Sequence, residues 1–300
     1  MDELPDLYLT AVMTASQMDE LARRFRIHRD NPPVTTRAIL GGGSVLVDQG
    51  VLDAFPALEI VAINGVGYDR VDLDAVRARG VRVTTTPDIL TNEVADLAIA
   101  LMLAVDRRIA FNDRTVRQGG WAVPLGRRST GRRIGIFGFG RIGQAIARRA
   151  APFAGEVLYT ARHERPQSDF RFLPDIGALA EACDTLILIA PGGDATRHVV
   201  NAAVLEKLGP QGVLINVARG SLVDEPALVA ALEAGTIAGA GLDVFEDEPN
   251  VPEALKAMDQ IVLLPHQGSA TAECRAAMFA LVLANLDAHF SDQPLVTPLV

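Results

Sequence analysis

The sequence predicts an α/β protein of two domains, each built on a parallel sheet. Three observations carry this. Short apolar runs alternate with amphipathic helical stretches along nearly all of the 300 residues. A Gly/Pro-punctuated connection, GGWAVPLGRRSTG, interrupts the alternation, and a second series of the same kind follows it. That second series opens with IGIFGFGRIGQAIARR, residues 134–149, in which Gly138, Gly140 and Gly143 separate a strand from a helix.

In the first series, PDLYLTA, RAIL, LEIVAI and VRVTTT read as strands, with SQMDELARRF and LDAVRARG as helices between them. AILGGGSV, residues 38–45, also has three glycines but lacks the motif spacing and a clean helix after it, so it reads as a loop. Pro87 stops a strand, Thr91 or Asn92 offers a cap, and Glu93 suits the first turn of a long apolar helix. Such a helix packs against another domain or a second subunit. In the second series RIGIFGF, EVLYTA, TLILIA, GVLINV, GAGLDV and IVLLPH are the strands. The helix after Gly143, PDIGALAEAC, AAVLEKLG and EPALVAALEAG lie between them, enough for a nucleotide-binding sheet. The last helix, AECRAAMFALVLANLDAHF, places Met278, Leu281, Val282 and Leu286 on one face and is expected to return to the first domain. The expected division is 1–93 plus 270–300 against 94–269.

Apolar residues make up 49% of the chain, enough for a filled core. The net charge of −9 argues against a nucleic-acid-binding surface. The acidic N-terminus lacks a signal segment, and no apolar stretch approaches the roughly 20 residues of a membrane span. Two cysteines, Cys183 and Cys274, make neither a disulfide framework nor a metal site, so a cytoplasmic protein with reduced thiols is expected.

The three glycines have separate physical tasks. Gly138 permits the tight turn, Gly140 lets a pyrophosphate approach the backbone, and Gly143 lets helix and strand pack closely. Helix-start N–H groups and the helix dipole then hold the anion. A glycine-rich turn without a ligand is the plain alternative. An NAD site usually has an acid at the end of the second strand, bonded to the ribose. Here that strand end offers Thr160 and Arg162, with His163 and Arg165 nearby, while Glu164 lies farther into the loop. A hydroxyl and a guanidinium suit a 2′-phosphate, so NADPH is expected, with NADH a lesser substitute.

Three polar residues lie at or near the ends of late strands: Arg219 after VLINVA, Glu248 in LDVFEDEP, and His266 closing IVLLPH. Reduction of an α-keto acid needs a cation for the carboxylate, polarisation of the carbonyl, and a proton for the alkoxide. Arginine serves the first two and a carboxylate-supported histidine the third. Each also has a plain reading: Arg219 as a turn residue paired with Asp224, Glu248 as one acid of a solvated run, His266 as a satisfied strand-end histidine.

GFGRIGQAIA, INVARGSLVDEPALVAALEAGTIAGAGLDVFEDEP and LLPHQGSAT together resemble the D-isomer-specific 2-hydroxyacid dehydrogenase family over essentially the whole chain. The resemblance implies two Rossmann-like or flavodoxin-like domains with the active site in the cleft between them. It implies that Arg219 binds the substrate carboxylate, His266 is the acid/base and Glu248 supports it. It places cofactor contacts at Arg141, Ile142, Val217, Asp243 and Gly268 besides the glycines, with Asp243 near the nicotinamide carboxamide. In NGVGYD, the N–H groups of Val66 and Gly67 would meet the substrate carboxylate. TPDILTNEVADLAIALML, LYTARHERP and ANLDAHFSDQPLVTPLV resemble the NADPH-dependent glyoxylate/hydroxypyruvate reductases and plant hydroxyphenylpyruvate reductases most. Family members are homodimers built through the long helix region; in related reductases a tryptophan in the following connection can reach the partner's substrate pocket, and for Trp121 a buried dimer contact is the plainer expectation. Relatives acting on phosphoglycerate, formate or phosphite fit less well; formate enzymes have Gln at the position of Glu248. A dinucleotide-sensing corepressor on the same fold is the alternative of another class.

Overall fold

The computed structural model describes residues 4–300, which divide into two compact units. Of the described residues, unit 1 takes in 4–90 and Thr271–Val300, and unit 2 is Thr91–Ala270. In unit 1 the order is β1 (Asp6–Leu9), α1 (Ala15–Ala22), β2 (Arg26–His28), β3 (Thr36–Gly42), α2 (Gln49–Ala54), β4 (Ile60–Asn64), α3 (Leu73–Ala78) and β5 (Arg82–Thr84). All strands are parallel, in the order β2-β1-β3-β4-β5, the flavodoxin-like arrangement. The inner strand β4, IVAIN, is buried throughout because helices cover both faces of such a sheet. Short polar caps start the helices: Thr14 forms a capping box with Gln17, and Asp48 and Asp72 each accept a backbone N–H.

Unit 2 begins with α4 (Thr91–Asp106) and α5 (Ile109–Arg117). The single long helix expected here is divided, because Arg108 takes a left-handed φ of 52°. Then follow β6 (Arg133–Phe137), α6 (Arg141–Ala150), β7 (Glu156–Thr160), β8 (Arg171–Phe172), α7 (Ile176–Ala182), β9 (Thr185–Leu188), α8 (Ala202–Leu208), β10 (Val213–Asn216), α9 (Glu225–Glu233), β11 (Gly239–Leu242), α10 (Glu253–Lys256) and β12 (Ile261–Leu263). The sheet runs β12-β11-β10-β9-β6-β7-β8, all parallel, a Rossmann order extended by one strand. The order reverses between β6 and β9, so the loops after them flank the crevice where such sheets bind ligands. Helix α4 lies tight on β11: a Cβ at Gly239 would come 3.1 Å from a Val105 methyl, and one at Gly241 3.2 Å from Leu101.

The last helix, α11 (Ala272–Phe290), returns to unit 1, where Phe279, Val282 and Leu286 pack with Leu7, Leu9 and Ile60. Residues 38–45 are a correction to the sequence reading. Ala38–Gly42 belong to β3, and Gly41 is needed because a Cβ there would lie 2.5 Å from Val45. The short strands β2 and β8 and helix α2 left no usable periodicity in so few residues. No described helix is long and apolar enough to cross a membrane.

Candidate active site

The turn after β6 shows the three glycine tasks as separate geometries. Gly138 has a φ of 105°, and a Cβ there would lie 2.5 Å from the Ala190 nitrogen. A Cβ on Gly140 would meet no atom within 4 Å, so its open side is where a ligand can reach the backbone. A Cβ on Gly143 would lie 2.1 Å from the Gly138 carbonyl oxygen, so only glycine lets α6 start this close to the turn. Gly140 caps α6 without a side chain. The N–H groups of Arg141, Ile142 and Gly143 thus lie at a helix start with space before them. This cradle fits a pyrophosphate. Phe139 locks it from below by stacking on Tyr159, centroids 3.8 Å apart.

At the end of β7 the Thr160 carbonyl accepts the Gly138 N–H at 2.9 Å. Its hydroxyl donates to the Leu173 carbonyl at 3.0 Å, so Thr160 is turned to the fold interior. Arg162 is exposed beyond the strand end. His163 and Arg165 are exposed beside it.

Beyond β10 the chain makes an Asx turn. Asn216 Oδ1 accepts the Ala218 N–H at 3.1 Å, and Asn216 Nδ2 donates to the Arg219 carbonyl at 2.9 Å. Val217 is buried and donates to Leu188 across the sheet. The turn sets Arg219, whose Nη1 donates to the Ala218 carbonyl at 2.6 Å. The next residue, Gly220, lies against the β11 loop: a Cβ there would be 1.9 Å from the Phe245 carbonyl carbon. Asp224, a suggested partner of Arg219, caps α9 through the Ala227 N–H.

His266 follows β12 with a left-handed φ of 54° and donates its N–H to the Asp243 carbonyl at 2.8 Å. Its Nδ1 meets Glu248 Oε2 at 2.8 Å, and Nε2 lies on the other side of a half-exposed ring. Glu248 Oε1 accepts the Phe245 N–H at 3.1 Å. Burial pushes the Glu248 carboxyl up, but the His266 hydrogen bond and charge, the Phe245 N–H and the Arg219 charge outweigh it. The group lies below the usual glutamate range. Asp243 is buried, and its two oxygens accept the Gln267 N–H at 2.6 Å and the Gly268 N–H at 2.8 Å. Burial dominates there despite those bonds, and its carboxyl is raised. Asp243 thereby ties down the turn that presents His266 and Gly268.

The structure thus brings Arg219, Glu248, His266 and Asp243 together at the C-terminal edge of one sheet, all within unit 2. Val66 and Gly67 follow β4 in unit 1, and their N–H groups donate to no described residue. Sequence reasoning missed Asn216 and the buried Glu225. The strand-end asparagine before a turn was a usable signal for the first. Cys183 is buried, and burial pushes its thiol up to about 12. Trp121 is 87% exposed. Among the described residues no group of side chains could hold a metal ion.

Residues 99–268 match the family described as D-isomer specific 2-hydroxyacid dehydrogenase, NAD binding domain. The 2-ketogluconate reductase of Gluconobacter oxydans is 44% identical over the whole of both chains. The hydroxyphenylpyruvate reductase of Plectranthus scutellarioides is 48% identical, covering 88% of this chain and 85% of that one. The solved NADPH-dependent glyoxylate/hydroxypyruvate reductase of Sinorhizobium meliloti, in complex with NADP and malonate, superposes with a TM-score of 0.92. It is 46% identical and covers 99% of this chain and 97% of its own. With a sheet-edge arginine, a carboxylate-backed histidine and a glycine turn at a helix start on the same parallel sheet, the chain belongs by these likenesses to the D-isomer specific 2-hydroxyacid dehydrogenase family.

Proposed function

We propose that this protein reduces a small 2-keto acid, glyoxylate or hydroxypyruvate, to the D-2-hydroxy acid with NADPH. The observation that carries the reading is the His266–Glu248 pair held beside Arg219 on the sheet edge that also carries the glycine cradle. NADPH supplies the hydride. Arg219 binds the substrate carboxylate and polarises the keto oxygen through its fixed, always charged donors. Glu248, held ionised below the usual glutamate range, orients the His266 ring through Nδ1. His266 gives its Nε2 proton to the forming alkoxide. Gly138, Gly140 and Gly143 admit the pyrophosphate, and Arg162 supplies the positive charge for the 2′-phosphate.

A panel of 2-keto acids assayed with NADPH and NADH tests this. NADPH with glyoxylate or hydroxypyruvate is expected to give the highest kcat/KM. The absence of turnover with every acid would leave a binding protein on the same fold. The panel includes 2-ketogluconate and hydroxyphenylpyruvate, because the Gluconobacter and Plectranthus relatives bear those names. Arg162→Ala is expected to weaken NADPH by about 10- to 100-fold while sparing NADH, the effect of a hydrogen bond to a charged group.

The same reading makes the protein a cytoplasmic homodimer. Ile109, Val116, Trp121 and Leu125, on α5 and the connection after it, are exposed apolar residues that a second copy would cover. Light scattering reads the mass directly.

A further inference from the structure

Glu225 is a third unusual carboxylate of this edge, after Glu248 and Asp243. It is the first residue of α9, only 8% exposed, and its Oε1 accepts the Glu246 N–H at 2.8 Å. Glu246 lies one residue after Phe245, whose N–H binds Glu248, and two residues before Glu248 itself. The same stretch is pressed against Gly220, next to Arg219. Glu225 therefore grips the middle of the loop that carries Glu248, from the helix that follows the Arg219 turn. The titratable and charged groups around this loop are Glu246, Asp247, Glu248, Asp243, Arg219, Arg197, His198 and His266. A carboxylate set among three acids is electrostatically unfavourable; burial and those neighbours raise its carboxyl. The contact it makes is geometric.

We propose that Glu225 is a positioning residue: by accepting the Glu246 N–H it fixes the backbone that aims Glu248 at His266. This rests on the proposed reduction, in which the Glu248–His266 pair delivers the proton. Reach, not charge, is what the loop requires of Glu225.

Two variants separate reach from charge. Glu225→Asp keeps the charge and withdraws the oxygen by one methylene; Glu225→Gln keeps an accepting oxygen in place and removes the charge. Glu225→Asp is expected to lose about 10- to 100-fold in kcat, as for small misplacements of a reacting group, with KM for NADPH unchanged. Glu225→Gln is expected to keep kcat near wild type. The imidazole nitrogen and proton resonances of His266 provide a readout that needs no turnover: they should move in Glu225→Asp and stay in place in Glu225→Gln. Wild-type kcat and His266 resonances in Glu225→Asp, or losses in Glu225→Gln equal to or above those in Glu225→Asp, would overturn the proposal. Absence of turnover in the wild type would sink the proposed reduction instead, and the resonances would still decide on Glu225.

Discussion

Two histidines meet carboxylates from the same loop at the same distance. His198 Nε2 meets Glu246 Oε1 at 2.8 Å, and His266 Nδ1 meets Glu248 Oε2 at 2.8 Å. Both residues have left-handed backbones, with φ of 49° and 54°. The surroundings separate them. Glu246 is shared with the Arg197 guanidinium, and its backbone is gripped by Glu225, so this pair ties the 194–198 turn to the β11 loop. Glu248 takes the His266 ring on one oxygen and the Phe245 N–H on the other, while the Arg219 charge acts on it from the adjacent turn. A His–carboxylate distance thus does not mark a proton donor. In the proposed reduction the cations separate the pairs: Arg197 is tied to Glu246 itself, whereas Arg219 follows a different strand and acts on Glu248 from the adjacent turn.

The sharpest test of this contrast is His266→Gln. It is expected to lower kcat/KM for the keto acid by about 10²- to 10⁴-fold, the range for a lost general acid, while cofactor binding persists. A loss under tenfold would make His266 an ordinary strand-end residue. Arg219→Ala should come next, at about 10²- to 10³-fold in kcat, because a preorganised donor to the forming alkoxide is gone; near-normal steady-state kinetics would reject the assignment.

The carboxylates differ in the sign of their pH dependence. The folded Glu248 is lowered from its ordinary 4.5, so its stabilising contribution is complete above that value and is lost as pH falls through the lowered one. Glu225 is raised, so its ionised form costs stability at neutral pH and the cost fades on acidification. In urea titrations Glu248→Gln should lower the midpoint at pH 7, and Glu225→Gln should raise it. Both differences should shrink toward pH 4; equal signs at pH 7 would contradict the two environments. The smallest effect belongs to His198→Gln. Its pair is partly solvated, so about 0.2–1 kcal/mol of stability and little activity are at stake.

Much of this edge was readable beforehand. The glycine spacing, the strand before it and the helix after it lie within one continuous stretch, so local sequence states the geometry. Arg219 and His266 were visible because each closes an apolar strand, where open parallel sheets present ligand-binding groups. Thr160 shows the limit: its position at a strand end is right for a ribose, yet its hydroxyl is bonded to Leu173 on the next crossover. The glycines at 41 and 42 show another, since the β3 strand continues through them where a loop was expected.

By itself the sequence determined the alternation of strands and helices, the start of α6 at a glycine cradle, and the residue types available at the sheet edge. These follow from periodicity and from backbone freedom, which act between near neighbours. The residues alone left open which acid of Glu246, Asp247 and Glu248 faces His266; the family resemblance implied Glu248, the tertiary structure shows it at 2.8 Å, and only the tertiary structure shows Glu225 bonded to the loop between them. Those choices join residues 18 and 21 positions apart, through burial and backbone N–H groups that carry no mark in the order of side chains.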